Sequence, residues 1–282
     1  MRDSGFFRIG TWNIHGVRGV GAERLEGICE TLNRHRLDVV LLQEVSLSLH
    51  ASDLLARSLH DIGLVAQVYS GYADAAEKRY GNVIASRSLL TEMSWPVSMR
   101  WPQLICAATL NVASRSVTVV NAHIPNGSGN GWEKVYAFEG LLSGLQTLPQ
   151  PVILGGDFNE PKSTPPRWLS FRADDDGGVD GEFRDLNGVV HARQRWQEAV
   201  AGVLDDTGRT RRTAWGGQHV QSNTHRSFEP THIVRGRFER YFDHILITDG
   251  LSARDVTYHH GVREGPKPAS DHSLVTATVS LE

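Results

Sequence analysis

The sequence predicts an α/β protein: two packed sheets, mainly antiparallel, with helices outside. Three observations carry this. Short apolar runs rich in β-branched residues, stopped by Gly, Asn, Ser or Pro, recur through the chain, which is how strands read. Stretches with apolar residues at 3.6-residue spacing interleave with them. Two pairs of neighbouring runs lie too close for a crossover helix and read as antiparallel hairpins. A simple doubly wound parallel sheet fits this pattern poorly.

In chain order, "FFRIGTWNI" is the first strand. Ala22–Arg34 follows as a helix with Leu25, Ile28, Cys29 and Leu32 on one face. "LDVVLLQEV" is a strand, Asp53–His60 a helix, and "GLVAQVYS" and "GNVIAS" are strands. The hairpins are Gly81–Ser86 into Leu89–Trp95, and Leu104–Val112 into Val117–Ile124. Trp95 and Trp101 are expected to pack one of them. Trp132–Leu145 reads as a helix, then "PVILGGDF" as a strand. From Pro161 to Glu239 the strand signal is weakest. Long loops are expected there, with a helix at Arg193–Val203 that places Trp196, Val200 and Val203 on one face. "YFDHILIT" and "SLVTATVSL" close the chain as strands. With no repeat and no low-complexity linker, 1–282 is expected to be one domain carrying an insertion at about 161–239.

The 282 residues are 40% hydrophobic and 22% charged, an ordinary globular composition. A net charge of −3 excludes a highly basic coat protein but leaves room for a local basic groove. Cys29 and Cys106 sit among apolar neighbours and read as core residues. "MRDSGFFRIGTW" lacks the apolar stretch of a signal peptide. No run approaches the ~18 apolar residues of a membrane span. The expectation is a soluble cytoplasmic monomer without a membrane partner.

The strand ends carry the chemistry. "GTWNIHG" ends on Asn13 and His15, "VVLLQEV" on Gln43 and Glu44, and "VVNAHIPNG" on His123 and Asn126. "PVILGGDFNE" sets out Asp157 and Asn159, "YFDHIL" carries Asp243, and "PASDHSLV" puts Asp271 and His272 ahead of the last strand. Each alone reads as a turn former or a solvated strand end. Together they make a cleft of hard oxygen ligands and hydrogen-bond donors. Oxygen ligands without cysteine select Mg²⁺, Mn²⁺ or Ca²⁺. An Asp–His pair can orient an imidazole. The pattern points to metal-assisted attack of water on a phosphoester.

The motifs "WNIHG", "LLQEV", "YGNVIASR", "NAHIPNG", "GGDFNEP", "YFDHIL" and "SDHSLV", in this order from about Arg8 to Leu281, resemble the endonuclease/exonuclease/phosphatase superfamily. That family includes deoxyribonuclease I, exonuclease III-type abasic-site nucleases, sphingomyelinases and inositol polyphosphate 5-phosphatases. The resemblance implies a four-layer, two-sheet sandwich of the deoxyribonuclease I type and Mg²⁺ as cofactor, with Mn²⁺ as an alternative. It implies Glu44 as main metal ligand, with Asn13 and Asp271 assisting. Asp157 would orient or deprotonate the water, and Asn159 would hold the phosphate. His272 would polarise the phosphoryl oxygen or transfer the proton, oriented by Asp243. His123 would face the scissile phosphate or leaving oxygen, and Asn126 would donate to the phosphate. Whether Asp157 or His272 is the base stays open. "HIPNG" ahead of a Lys-bearing helix resembles the exonuclease III branch, but a His at 123 is typical of the deoxyribonuclease I and sphingomyelinase branches.

For substrate, Arg209, Arg211 and Arg212 accompany Trp215, and Arg235, Arg237 and Arg240 accompany Phe238 and Tyr241. Basic residues interleaved with aromatics suit a nucleic-acid backbone and unstacked bases. Arg211, Arg212, Trp215 and Arg237 are the candidate contacts, and DNA is the expected partner. The competing explanation is solvated loops whose arginines pair with nearby acids. A nuclease is therefore expected. A phosphatase or lipid phosphodiesterase of the same chemistry, and a non-catalytic nucleic-acid-binding scaffold, are the alternatives. "DDDGGVDGE" (Asp174–Glu182) fails the EF-hand spacing and reads as an acidic surface loop. His259 and His260 are expected at the surface.

Overall fold

A computed structural model describes residues 5–16, 21–70, 80–112, 115–160, 195, 198–204, 213–220 and 229–282. Strands are numbered in chain order. One six-stranded sheet runs β13 (Leu251–His259), β14 (Leu274–Leu281), β1 (Phe6–Asn13), β2 (Val39–Ser46), β4 (Tyr80–Ser86), β3 (Ala66–Tyr69). The other runs β5 (Leu90–Met93), β6 (Ile105–Val112), β7 (Arg115–His123), β8 (Val152–Asp157), β12 (Asp243–Ile247), β9 (Gln218–His219). Each sheet is antiparallel except for one parallel pair, β1–β2 in the first and β7–β8 in the second. A two-stranded ribbon, β10 (His232–Val234) and β11 (Phe238–Arg240), stands apart.

Side-chain alternation explains the layers, because successive residues of a strand point to opposite faces. Phe7 and Ile9 of β1, Val39 and Leu41 of β2, Val117 and Val119 of β7, and Ile153 of β8 form the core between the sheets. The alternate residues face outward. Val40 and Leu42 pack under α1 (Ala22–Arg34) and α2 (Leu49–Asp61). Val120, Ala122, Val152 and Leu154 pack under α3 (Gly127–Leu145) and a helix at 198–204, α4. The result is helix, sheet, sheet, helix, as the sequence predicts. α1 occupies the predicted span, and its Leu25, Ile28, Cys29 and Leu32 are buried. Both cysteines are free and buried.

One predicted hairpin is absent. β6 and β7 pair as expected, but β4 pairs with β2 and β3 while β5 pairs with β6 in the other sheet. The short "SRSL" link is a corner between sheets. A short connection forces neighbouring positions in space, and in a sandwich the facing sheet also offers one. Trp95 lies against α3, where a Cβ on Gly144 would meet its ring at 2.1 Å. The acidic 174–182 segment lies outside the described residues. No described helix is long and apolar enough to cross a membrane.

Between the sheets, directly under one end of the β1–β2 and β7–β8 pairs, sits a buried polar network. Gln43 Nε2 donates to Thr11 Oγ1 (3.0 Å) and to Asn121 Oδ1 (2.7 Å). Asn121 Nδ2 donates to the carbonyls of Leu42 (2.9 Å) and Val83 (2.8 Å). Asn82 Nδ2 reaches the carbonyls of Leu104 and Asn121 in turn. These bonds tie the second sheet to the first below the site.

Candidate active site

The C-terminal ends of the two parallel pairs bring the predicted residues together. In the first sheet, β1 ends at Asn13 opposite Gln43. The β2–β4 register shifts between Leu42 and Val45. This bulge, with Glu44 at φ 55°, turns the Glu44 carboxylate to the strand ends. Non-glycine residues rarely adopt positive φ, and such strain collects at functional sites. His15 (φ 47°) and Asn159 (φ 52°) share it.

In the second sheet, His123 stands opposite Asp157 across β7–β8, and Asp243 stands opposite Asp157 across β8–β12. Two glycines precede Asp157 because nothing larger fits. A Cβ on Gly156 would lie 1.8 Å from the Ala122 carbonyl oxygen, and one on Gly155 2.6 Å from Leu41 Cδ1 of the facing sheet.

Asn13 joins the halves. Its Nδ2 donates to Glu44 Oε1 (3.2 Å) and Asp157 Oδ2 (2.9 Å), while its Oδ1 accepts the His15 N–H (2.9 Å). Two carboxylates on one side and a backbone donor on the other fix this amide orientation. Asn13 therefore sits as a hydrogen-bonding bridge between Asp157 and Glu44, the residue that the resemblance implies as main metal ligand. His15 stands beside it, its Nδ1 3.6 Å from both Glu44 Oε2 and Asp271 Oδ1. The Arg24 guanidinium holds the His15 carbonyl (2.9 Å) and that of Ile14.

His123 Nε2 lies 3.8 Å from Glu44 Oε1 and 3.8 Å from Asp157 Oδ2. His272 Nδ1 donates to Asp243 Oδ2 (2.9 Å), which leaves Nε2 directed toward Asp157 Oδ2 at 3.8 Å. Burial alone would push the His272 pKa down. The charges of Asp243 and Asp157, and the Asp243 hydrogen bond, outweigh it and lift the imidazolium to about 10. Trp12 Nε1 and Ser270 Oγ fix the loop by bonding the His272 carbonyl and backbone N–H. The His232 ring stacks on His272 with centroids 4.4 Å apart, so the β10–β11 ribbon begins at this imidazole. Asn159 donates its N–H to Asp157 Oδ1 (2.8 Å) and its Nδ2 to the Ile124 carbonyl (3.0 Å). Asn126 is exposed just ahead of α3.

The sequence profile of the Endonuclease/Exonuclease/phosphatase family matches residues 10–272, from inside β1 to His272. The chain belongs to this family. Family membership gives the reaction class, hydrolysis of phosphoester bonds. A search of curated proteins finds no match. Among solved structures, an AP endonuclease from Archaeoglobus fulgidus is 19% identical with TM-score 0.64, covering 96% of this chain and 98% of that one. D. rerio TDP2 complexed with a single-strand DNA product is 15% identical with TM-score 0.63, covering 98% and 99%. ANGEL2, a 2′,3′-cyclic phosphatase in complex with adenosine-2′,3′-vanadate, is 17% identical with TM-score 0.63, covering 98% and 96%. At such identities these likenesses establish the fold of the family and nothing finer.

Within the family frame, the predicted nucleic-acid contacts fare differently. Trp215 is not a base-stacking residue. It is 6% exposed in the α3–α4 core, with Nε1 bonded to the Val203 carbonyl (3.1 Å). Its neighbours Arg211 and Arg212 lie outside the described residues, and Tyr241 is buried. Arg237 is exposed on the ribbon, its guanidinium 5.0 Å from the ring of Phe238, which is also exposed, with Arg240 5.7 Å from the same ring. Trp101 lines a cavity of about 90 Å³ with Met99, Tyr136 and His123 instead of packing a hairpin. His260 is half-buried between Ser273 and Glu229.

In the sequence His15 stands at the end of β1 without a role, Lys134 shows only as the lysine of the helix after "HIPNG", and His232 is a single histidine that nothing singles out. Lys134 Nζ bonds Glu160 Oε1 at 2.6 Å and the Asn159 carbonyl at 3.0 Å. Burial pushes the lysine pKa down against the opposing pull of Glu160 and Asp157.

Proposed function

We propose that the chain is a divalent-metal-dependent phosphodiesterase acting on nucleic acid, DNA first, with one catalytic unit spanning 1–282. The observation that carries this is the meeting of Glu44 and Asp157 through one amide, Asn13, and one imidazole, His123, contributed by different sheets. Like charges are costly to hold together in a partly buried cleft, and a cation plus a phosphate would repay that cost.

Carboxylates dominate the donors at the cleft. Glu44 and Asp271 each lie 3.6 Å from the His15 imidazole. Asp271 is also close enough to share an ion with His232 and His272, as Asp157 and Asp243 are with His272, and both cysteines are buried elsewhere. Such a set suits Mg²⁺ or Mn²⁺. A bound ion would polarise the phosphate and neutralise developing charge.

The chain's own groups divide the remaining steps. The Asp157 carboxylate has each oxygen fixed by one donor, the Asn159 N–H and the Asn13 amide, so it is oriented to take a proton from water. His272, whose charged form the Asp243 and Asp157 carboxylates favour, acts as a donor to a phosphoryl oxygen or to the leaving oxygen, and on this reading Asp157 is the base. Asp243 keeps His272 in that state. His123 and Asn159 contact the phosphate. Arg237 and Phe238 on the ribbon next to His272 offer a charge to the backbone and a face to a base.

The test is a panel of single-stranded, duplex and abasic DNA, RNA and small phosphoesters, with Mg²⁺, Mn²⁺ or EDTA, using wild type and Asp157→Asn. Metal-dependent cleavage of a nucleic acid by wild type alone is expected. Phosphate release from small esters with every nucleic acid left intact would instead make it a phosphatase.

A further inference from the structure

Behind the site lies an ion pair that the chemistry above does not use. Lys134 and Glu160 are 1% and 0% exposed. Replacing a buried pair by apolar groups of similar size is often neutral or stabilising. Stability alone is therefore a weak reason for its presence, and its neighbours supply a better one.

Lys134 Nζ spans two consecutive residues of the turn after β8, the Glu160 carboxylate and the Asn159 carbonyl. Asn159 lies in the left-handed region at φ 52°, and in that conformation its N–H meets Asp157 Oδ1 while its side chain meets the Ile124 carbonyl. On the other flank, the Glu160 carbonyl is hydrogen-bonded to His244 Nε2 at 2.8 Å. His244 directly follows Asp243, the partner of His272. The turn at 159–160 is thus gripped from α3 on one side and from β12 on the other.

We propose that Lys134 and Glu160 are positioning residues that lock the 157–160 turn, so that Asp157 and Asn159 are held in reacting geometry. The catalytic consequence rests on the phosphodiesterase reading; the positioning itself does not. Misplacing a reacting group by about 1 Å costs on the order of 100-fold in rate.

The test compares wild type with Glu160→Gln and the double variant Lys134→Met/Glu160→Leu. It uses melting temperature, kcat and KM on the best substrate of the panel, and hydrogen exchange at the Asn159 amide. The double variant is expected to melt close to wild type, with the Asn159 amide exchanging at least about tenfold faster. Its kcat should fall about 10- to 100-fold with KM little changed. Wild-type exchange and kcat in the double variant would overturn the proposal, because the pair would then only fill space. If the double variant does not fold, Glu160→Gln decides by the same readouts: faster Asn159 exchange with lowered kcat supports locking, and unchanged values sink it. Exchange needs no substrate. Faster exchange in a protein inactive on every substrate would keep the lock and discard the phosphodiesterase.

Discussion

The two parallel strand pairs reach the same cleft, yet they deliver their polar groups at different depths. β1–β2 and the loop before β14 present Glu44, Asp271 and His15, whose side chains are 18%, 45% and 61% exposed. β7–β8 and β12 present His123, Asp157 and Asp243, all below 6%. Water reaches the first set and is largely kept from the second. A site that must load and release an ion needs solvent-accessible ligands, whereas groups that move a proton gain from fixed neighbours and low dielectric. On the proposed function, depth separates the metal side from the proton side.

Asp157→Asn is the hardest test of that division. It should lower kcat by about 10³-fold or more, with no recovery at any metal concentration and a near-normal melting temperature. Full recovery by added metal would erase the distinction. Glu44→Gln should behave the opposite way. Its activity should return as Mg²⁺ or Mn²⁺ is raised, with the metal midpoint displaced by more than about tenfold. Titration calorimetry with Mn²⁺ reads the same displacement without substrate.

The remaining tests probe the tightness of the deep side. Gly156→Ala drives a methyl group into the Ala122 carbonyl and should cost about 3 kcal/mol in urea unfolding. A small loss would mean that β7 and β8 can part more easily than their packing implies. The weakest expected effect is a pH dependence. His219, beside β12, is half-buried, and desolvation first and the His244 charge second push its pKa down to about 3. A histidine depressed in the folded state supports folding above its unfolded value near 6.5 and loses that support as pH falls toward 3. The urea midpoint should therefore drop across that window, and His219→Gln should flatten the drop.

Much of this was readable from residue order because strands and strand ends obey local rules. α1 shows its face through Leu25, Ile28, Cys29 and Leu32. "GGDFN" shows a strand ending on a carboxylate, and the structure adds why the two glycines precede it: close neighbours leave no room for a Cβ. What stayed hidden depends on distant partners. The corner between β4 and β5 reads as a hairpin because periodicity does not say which sheet a strand joins. Trp215 reads as a base platform because arginines precede it, but Val203, from another element, holds its indole. Lys134 shows in the sequence only as the lysine of the helix after "HIPNG", because its partner is 26 residues away.

The Gln43–Asn121 bridge carries one more consequence. Two greasy sheets pressed together can slide at little cost, since one methyl contact replaces another. A directional bond across that plane works as an index pin and resists slippage. Loops at the rim can then lengthen or change over evolutionary time while the gap between the opposing acidic groups stays constant, so new specificities can be grafted on without retuning the chemistry.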